Sequence, residues 1–210
     1  MKITKFGHCC LLIEEGGLRV LTDPGNYTED VGQKVRDLDI ILITHEHADH
    51  LHVPAVKELV ANNPKAKIIT NKGVGKMLEA EGITYTLLSD GESLDERGLH
   101  LSGHGTEHAE IYKTWGRVEN TGYFIGPRLF YPGDAFTNPG KLVEVLALPV
   151  SGPWMKISEA IDYALILKPK TAFPVHDAIK WGSAYRAPEK ILPENGIAFT
   201  IIEPGEAKEF

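Results

Sequence analysis

Cysteine is nearly missing from these 210 residues: Cys9 and Cys10 are the whole complement, and they are neighbours. A bridge between adjacent thiols is strained, and no second pair exists to build a framework. A disulfide-stapled scaffold is therefore excluded, and both side chains read as small buried hydrophobes in a strand. No run approaches the roughly 18 apolar residues of a membrane span. Met1–Gly7 lacks the apolar core of an export signal, so cytoplasmic residence and no membrane contact are the expectations. Excess positive charge is missing too. Lys and Arg number 22 against 29 for Asp and Glu, a formal net charge of -7. That balance disfavours a nucleic-acid partner and leaves a small molecule as the expected one. Linkers, low-complexity tracts and solenoid periods are also absent. One domain over 1–210 follows, and its hydrophobic content of 42% is ordinary for a packed globule.

Against that background one stretch stands out, Ile40-Ile41-Leu42-Ile43-Thr44-His45-Glu46-His47-Ala48-Asp49-His50. Four apolar residues in a row predict a strand buried on both faces. The run then breaks into histidines and carboxylates that no core accepts. In extended backbone, residues i and i+2 point the same way, so His45 and His47 can converge on one cation. Asp49 and His50 follow a turn and can face a second cation. Imidazoles with a carboxylate suit zinc first, with manganese or iron as alternatives.

The pattern His45-x-His47-x-Asp49-His50 after a buried strand resembles the signature of the metallo-β-lactamase superfamily. The resemblance runs from near Met1 to Asp177 and is closest to the small members. It implies an α/β fold, an αββα sandwich of two mixed β-sheets flanked by helices, holding one or two metals. It also implies an Asp23-Pro24 loop whose aspartate supports the metals; a turn-capping carboxylate is the plainer reading, and one side chain can serve both.

The rest of the chain alternates strands and helices. Lys2–Phe6 and Cys9–Glu14 read as strands around Gly7-His8, and Gly16-Gly17 as a hairpin turn into Leu18–Leu21. Val53-Pro54 opens a helix ended by Asn62-Asn63-Pro64. Lys67–Thr70 and Ile83–Leu88 are expected strands with a short helix, Gly75–Glu81, between them. Val145–Val150 is a further strand, Ile157–Leu167 a helix by its apolar stripe, and Ile197–Ile202 a closing strand.

Two histidines make a poor cage, because tetrahedral zinc wants a third protein ligand. His104 and His108 compete for that place. His108, in His-Ala-Glu-Ile ahead of the Asn120–Ile125 strand, is the one the resemblance favours. His104 is then a pocket residue, and His52 and His100 are loop and strand-face residues. The resemblance further assigns Asp134, in Tyr131-Pro132-Gly133-Asp134, as a carboxylate bridging two metals, and His176, ending Thr171–Val175, as the last ligand. It makes Trp154, in Gly152-Pro153-Trp154, a candidate substrate wall. Asp177 is expected to orient a ligating imidazole.

The ligand set is then His45, His47, Asp49, His50, His108, Asp134 and His176, with Asp49 also taking a proton from the nucleophile. His8 and His104 are the candidate general acids. Two divalent ions in such a set imply a hydrolase acting on a carbonyl or phosphoryl centre, such as a lactone, cyclic amide or phosphodiester. A nuclease, a mononuclear iron dioxygenase and a non-catalytic metal protein are the alternatives. The dioxygenases lose ligands of the second site, whereas Asp49, His50 and His176 are all present here.

Overall fold

Ile40–Ile43 forms a strand with no exposed surface, and its two faces go to different neighbours. Ile40 and Leu42 pack between two sheets, while Ile41 and Ile43 pack against helices. That double burial is why the run is apolar throughout rather than alternating. The computed structural model describes residues 1–178 and 184–210.

In chain order the first sheet and its helices comprise β1 (Lys2–Gly7), β2 (Cys10–Glu15), β3 (Leu18–Thr22), α1 (Val31–Lys34), β4 (Ile40–Ile43), α2 (Val53–Asn62), β5 (Lys67–Thr70), α3 (Lys72–Ala80) and β6 (Thr86–Leu87). The second comprises β7 (Ser93–Glu96), β8 (Leu99–His104), β9 (Gly122–Ile125), β10 (Leu129–Tyr131), β11 (Val145–Pro149), α4 (Ile157–Leu167), β12 (Thr171–Val175), α5 (Arg186–Glu194) and β13 (Ala198–Phe199). The chain then returns to the first sheet as β14 (Ala207–Glu209), antiparallel to β1.

Each sheet has seven strands, in the orders β14-β1-β2-β3-β4-β5-β6 and β13-β12-β11-β10-β9-β8-β7. Followed along the chain, each begins antiparallel and becomes parallel, the change falling at β3 in one and at β10 in the other. The two halves therefore repeat one topology, a symmetry that no residue pattern in the sequence reveals. The sheets face each other over Ile3, Leu11, Leu42, Leu101, Tyr123, Tyr131 and Phe173. Val56, Leu59, Val74 and Leu78 of α2 and α3 cover the outside of the first sheet. Ala160, Ile161 and Ala164 of α4, with Leu192 of α5, cover the second. This is an αββα sandwich of two mixed sheets. Among the described residues, no helix is long and apolar enough to cross a membrane.

Local chemistry explains most boundaries. Gly16 and Gly17, at φ 59° and 78°, supply the paired left-handed conformations of a tight hairpin turn. Helix α3 starts three residues before the expected Gly75, because the Asn71 side chain accepts from Val74 N at 3.1 Å and caps it. Of Ile83–Leu88 only Thr86–Leu87 pairs, and of Ile197–Ile202 only Ala198–Phe199. The hydrophobicity of Ile202 serves instead to fill the space between the sheets.

Candidate metal centre

The predicted ligands come from loops that leave strands at their C-terminal ends. His45, His47, Asp49 and His50 follow β4, His108 follows β8, Asp134 follows β10 and His176 follows β12. Such edges are where open α/β sheets place ligands, because loops there vary without disturbing the core. His8, Asp23 and His176 adopt positive φ, 50°, 34° and 56°. Strained backbone at three residues in one place points to a functional constraint. Glycine makes the close approaches: a Cβ at Gly25 would lie 1.8 Å from the Asp49 carbonyl oxygen, and one at Gly133 would lie 2.3 Å from Asn120 Oδ1.

The side chains assemble into adjoining donor groups. Donor atoms of His45, His47 and His108 lie within 4.8 Å of one another, and so do those of His8, Asp49, His50 and His176. Asp134 lies between the two. Its Oδ1 is 3.2 Å from His50 Nε2, and its Oδ2 is 2.9 Å from His176 Nε2 and 3.3 Å from His108 Nε2. His108 thus occupies the third place beside His45 and His47. His104 does not join them: its Nε2 meets Ser102 Oγ at 3.0 Å, and its ring packs near Phe124 and Phe130. Nor do His52, which precedes α2, and His100, exposed beside Asp95.

Hydrogen bonds on the far side of three imidazoles select their tautomers. His50 Nδ1 lies 2.7 Å from Asp23 Oδ2, and His108 Nδ1 lies 2.5 Å from the Ala109 carbonyl oxygen. Both partners only accept, so both Nδ1 atoms carry a proton. Thr44 Oγ1 donates to Asp23 Oδ2 at 2.7 Å, which leaves it to accept from His45 Nδ1 at 3.0 Å. In each neutral ring the bare nitrogen is then Nε2, turned inward, an outer-shell arrangement usual around bound metals. These three nitrogens, and Nε2 of His176, are buried without an aligned hydrogen-bond partner, as is Asp134 Oδ1. Neutral imidazoles and carboxylates gathered this way fit a divalent cation.

Electrostatics divides the groups. Burial, with His50 and His108 adding to it, holds His45 well below the ordinary histidine value; burial and His108 lower His47 as well. In the other group burial acts the same way but loses. Carboxylates outweigh it, raising His50 well above its usual range through Asp134 and Asp23, and His176 to about 9 through Asp134 and Asp49. For Asp49 burial favours the neutral form, yet the facing imidazoles of His176 and His8 keep the carboxyl far below the carboxylate range. Asp134 is likewise held low against its burial by His50 and His176.

Several contacts were not foreseen. Asp23 is a hub that accepts from Thr44 N at 2.8 Å, from the Thr44 hydroxyl, from His50 and from the Tyr131 hydroxyl. Asp177 orients no histidine; it pairs with the fully buried ammonium of Lys5 and accepts from Tyr185. The hydrophobic context of Lys5 in β1 gave no sign of that partner 172 residues away. Trp154 is buried rather than an open wall, and its Nε1–H donates to Asp134 Oδ2 at 2.9 Å. The Cys9 thiol lies near His50 and Asp134, and burial together with Asp134 keeps it protonated.

Comparison with known proteins agrees with this architecture. A model of the β-lactamase superfamily domain matches residues 2–176. Protein Rv0786c of Mycobacterium tuberculosis is 39% identical over 85% of this chain and 85% of its own. A UPF0173 metal-dependent hydrolase of Aeropyrum pernix is 28% identical over 100% of this chain and 97% of its own. Among solved structures, the metallo hydrolase Igni18 of Ignicoccus hospitalis has a TM-score of 0.78 at 22% identity, covering 100% of this chain and 98% of that one, a likeness of fold. From the matched domain, the histidine-rich strand ends and the named relatives together, the chain belongs to the metallo-β-lactamase superfamily and stands among its metal-dependent hydrolases.

Proposed function

We propose that this metal-dependent hydrolase works with two divalent cations, zinc in the first place, and cleaves a small carbonyl or phosphoryl substrate such as a lactone, cyclic amide or phosphodiester. The observation that carries the reading is the set of inward-facing buried atoms that face one another without making an aligned hydrogen bond, Nε2 of His45, His50, His108 and His176 with Asp134 Oδ1. An unanswered buried polar atom costs about 1–3 kcal/mol, so five in one place call for a resident group. His45, His47 and His108 would hold one cation and Asp49, His50 and His176 the other, with Asp134 shared. Bound cations of this kind supply an activated water nucleophile near neutral pH and a Lewis acid for the electrophile's oxygen.

The chain's own residues have separable tasks. Asp134 turns one oxygen to His50 and the other to His108 and His176, so a single carboxylate sets the spacing of the two pockets. The Trp154 N–H fixes the rotation of that carboxylate. Thr44 and Asp23 hold His45 and His50 in the tautomers that expose Nε2. Asp49 is the part-exposed member, placed to take a proton from the attacking water. The formal charge of -7 sets a nuclease behind a small-molecule enzyme.

Elemental analysis of protein prepared without chelator is expected to find about two metals per chain. Activity against a panel of lactones, phosphodiesters, ribonucleic acid and β-lactams should vanish on chelation and return with zinc. A reproducible single metal, with no turnover that depends on a second, would overturn the proposal.

A further inference from the structure

His8 is buried, contacts the second donor group, and offers its Nε2 at ligand distance, so it passes for a fourth member of that pocket. Its hydrogen bonds say otherwise. The backbone N–H of Ala178 donates to His8 Nδ1 at 3.3 Å. A nitrogen that accepts carries no proton, so the proton of the ring sits on Nε2. His8 Nε2 lies 3.2 Å from Asp49 Oδ2, and with that proton it donates to the carboxylate. Presenting Nε2 as a bare ligand would move the proton to Nδ1, where it would meet the Ala178 N–H head on. A main-chain amide cannot turn its hydrogen away without moving the chain.

The surroundings keep that amide in place. His176 N donates to the His8 carbonyl oxygen at 3.3 Å, and Lys5 Nζ donates to the Pro174 carbonyl oxygen at 2.9 Å while pairing with Asp177. The turn after β12 is thus held by the turn between β1 and β2. The ring of His8 is further flanked by Tyr27 and His176, with centroids 4.8 and 4.1 Å away. Asp49 needs such a holder. Its side chain is 28% exposed, whereas that of Asp134 is 3% exposed.

We infer that His8 is a positioning residue: through Nε2–H it aims the Asp49 carboxylate at the second pocket, and through Ala178 it is locked out of ligating there itself. The inference rests on the two-cation reading for its effect on metal affinity, though the tautomer stands independently of it.

The test has two arms, both read without activity. Nitrogen-15 spectra of the histidine rings, in metal-free and zinc-loaded protein, should show His8 protonated at Nε2 and bare at Nδ1 in both states. A proton at Nδ1, or a zinc-shifted Nε2, would overturn the inference. The second arm is zinc titration against a chelating indicator. Asn puts a polar atom where Nδ1 was and tolerates the left-handed backbone at 50°, but cannot reach Asp49. Gln costs more at that backbone yet carries an amide N–H where Nε2–H was. His8→Asn should leave the first equivalent of zinc alone and weaken the second by about 10- to 100-fold. His8→Gln should hold the second near its wild-type affinity. A purely structural role predicts the reverse order, and a direct ligand predicts equal loss in both; either would sink the idea. Wild-type protein that takes up only one zinc would instead remove the two-cation reading, and the ring spectrum would still decide the tautomer.

Discussion

The pocket of His45, His47 and His108 is made of imidazoles alone, while its neighbour sets Asp49 among His50 and His176. In the first, burial holds His45 and His47 neutral, and their lone pairs stand ready as they are. In the second, Asp134, Asp49 and Asp23 face the imidazoles and raise their affinity for positive charge, which a proton or a cation can supply. Desolvation shapes the one and ion pairing the other. Changes confined to one pocket should therefore be felt there first, and only residues touching both should damage both.

Asp134 is the sharpest test of that division. Asp134→Asn keeps the shape and loses the charge facing both groups, so metal content and rate should fall together, the rate by more than about 100-fold, beyond what outer-shell partners cost. Single-turnover measurements with metal analysis check this; two metals and an intact rate in the variant would break the comparison at its centre. Next in size, His108→Ala should empty the imidazole pocket and leave the mixed one able to bind. His104→Ala, whose side chain meets Ser102 instead, should leave the metal count unchanged. Stoichiometry by elemental analysis separates these, and the opposite pattern would exchange the roles.

Asp23→Asn should act first on the mixed pocket, weakening metal there by about 10- to 100-fold through a misoriented His50, with a smaller loss at the other pocket passed through Thr44 to His45. It should also lower stability by about 1–3 kcal/mol, because buried donors on Thr44 and Tyr131 lose a charged acceptor. Chelator competition and denaturant melts read the two effects separately. The smallest effect belongs to Trp154→Phe, which removes one N–H from Asp134 and keeps most of the packing. A rate lower by about tenfold with both metals retained is expected, the low end of outer-shell effects. Loss of metal in that variant would mean that Trp154 does more than orient a carboxylate.

Much of this was legible because it is local. The apolar run at Ile40–Ile43 and the histidines after it declare a buried strand and a polar site loop within eleven residues, and the stripe of Ile157–Leu167 matches its helix end to end. What stayed hidden depends on distance or on weak patterning. Strand β7, Ser93–Glu96, is a polar edge with little apolar periodicity. Helix α5 carries Pro188 and Pro193, which break the helical pattern on paper, although one lies in the first turn and the other near the end. The transfer of the last strand to the opposite sheet has no local signal at all. The site divides the same way. The histidines and aspartates that converge, and their order, could be read along the chain, but Lys5 on Asp177, Trp154 on Asp134 and His8 on Ala178 join residues that only folding brings together.

The repeated topology of the two halves has a mechanical consequence at one ring. Strands β3 and β10 hold corresponding places in their sheets, and each is followed at once by an aspartate turn, Asp23 in one and Asp134 in the other. His50 sits between them, with Asp23 at 2.7 Å from Nδ1 and Asp134 at 3.2 Å from Nε2. Asp23 travels with the first sheet and Asp134 with the second. His50 itself follows β4 of the first sheet, so a slip of one sheet over the other would leave its Nδ1 contact with Asp23 unchanged and lengthen only its Nε2 contact with Asp134: the alignment of the two sheets can be read at one nitrogen of one ring.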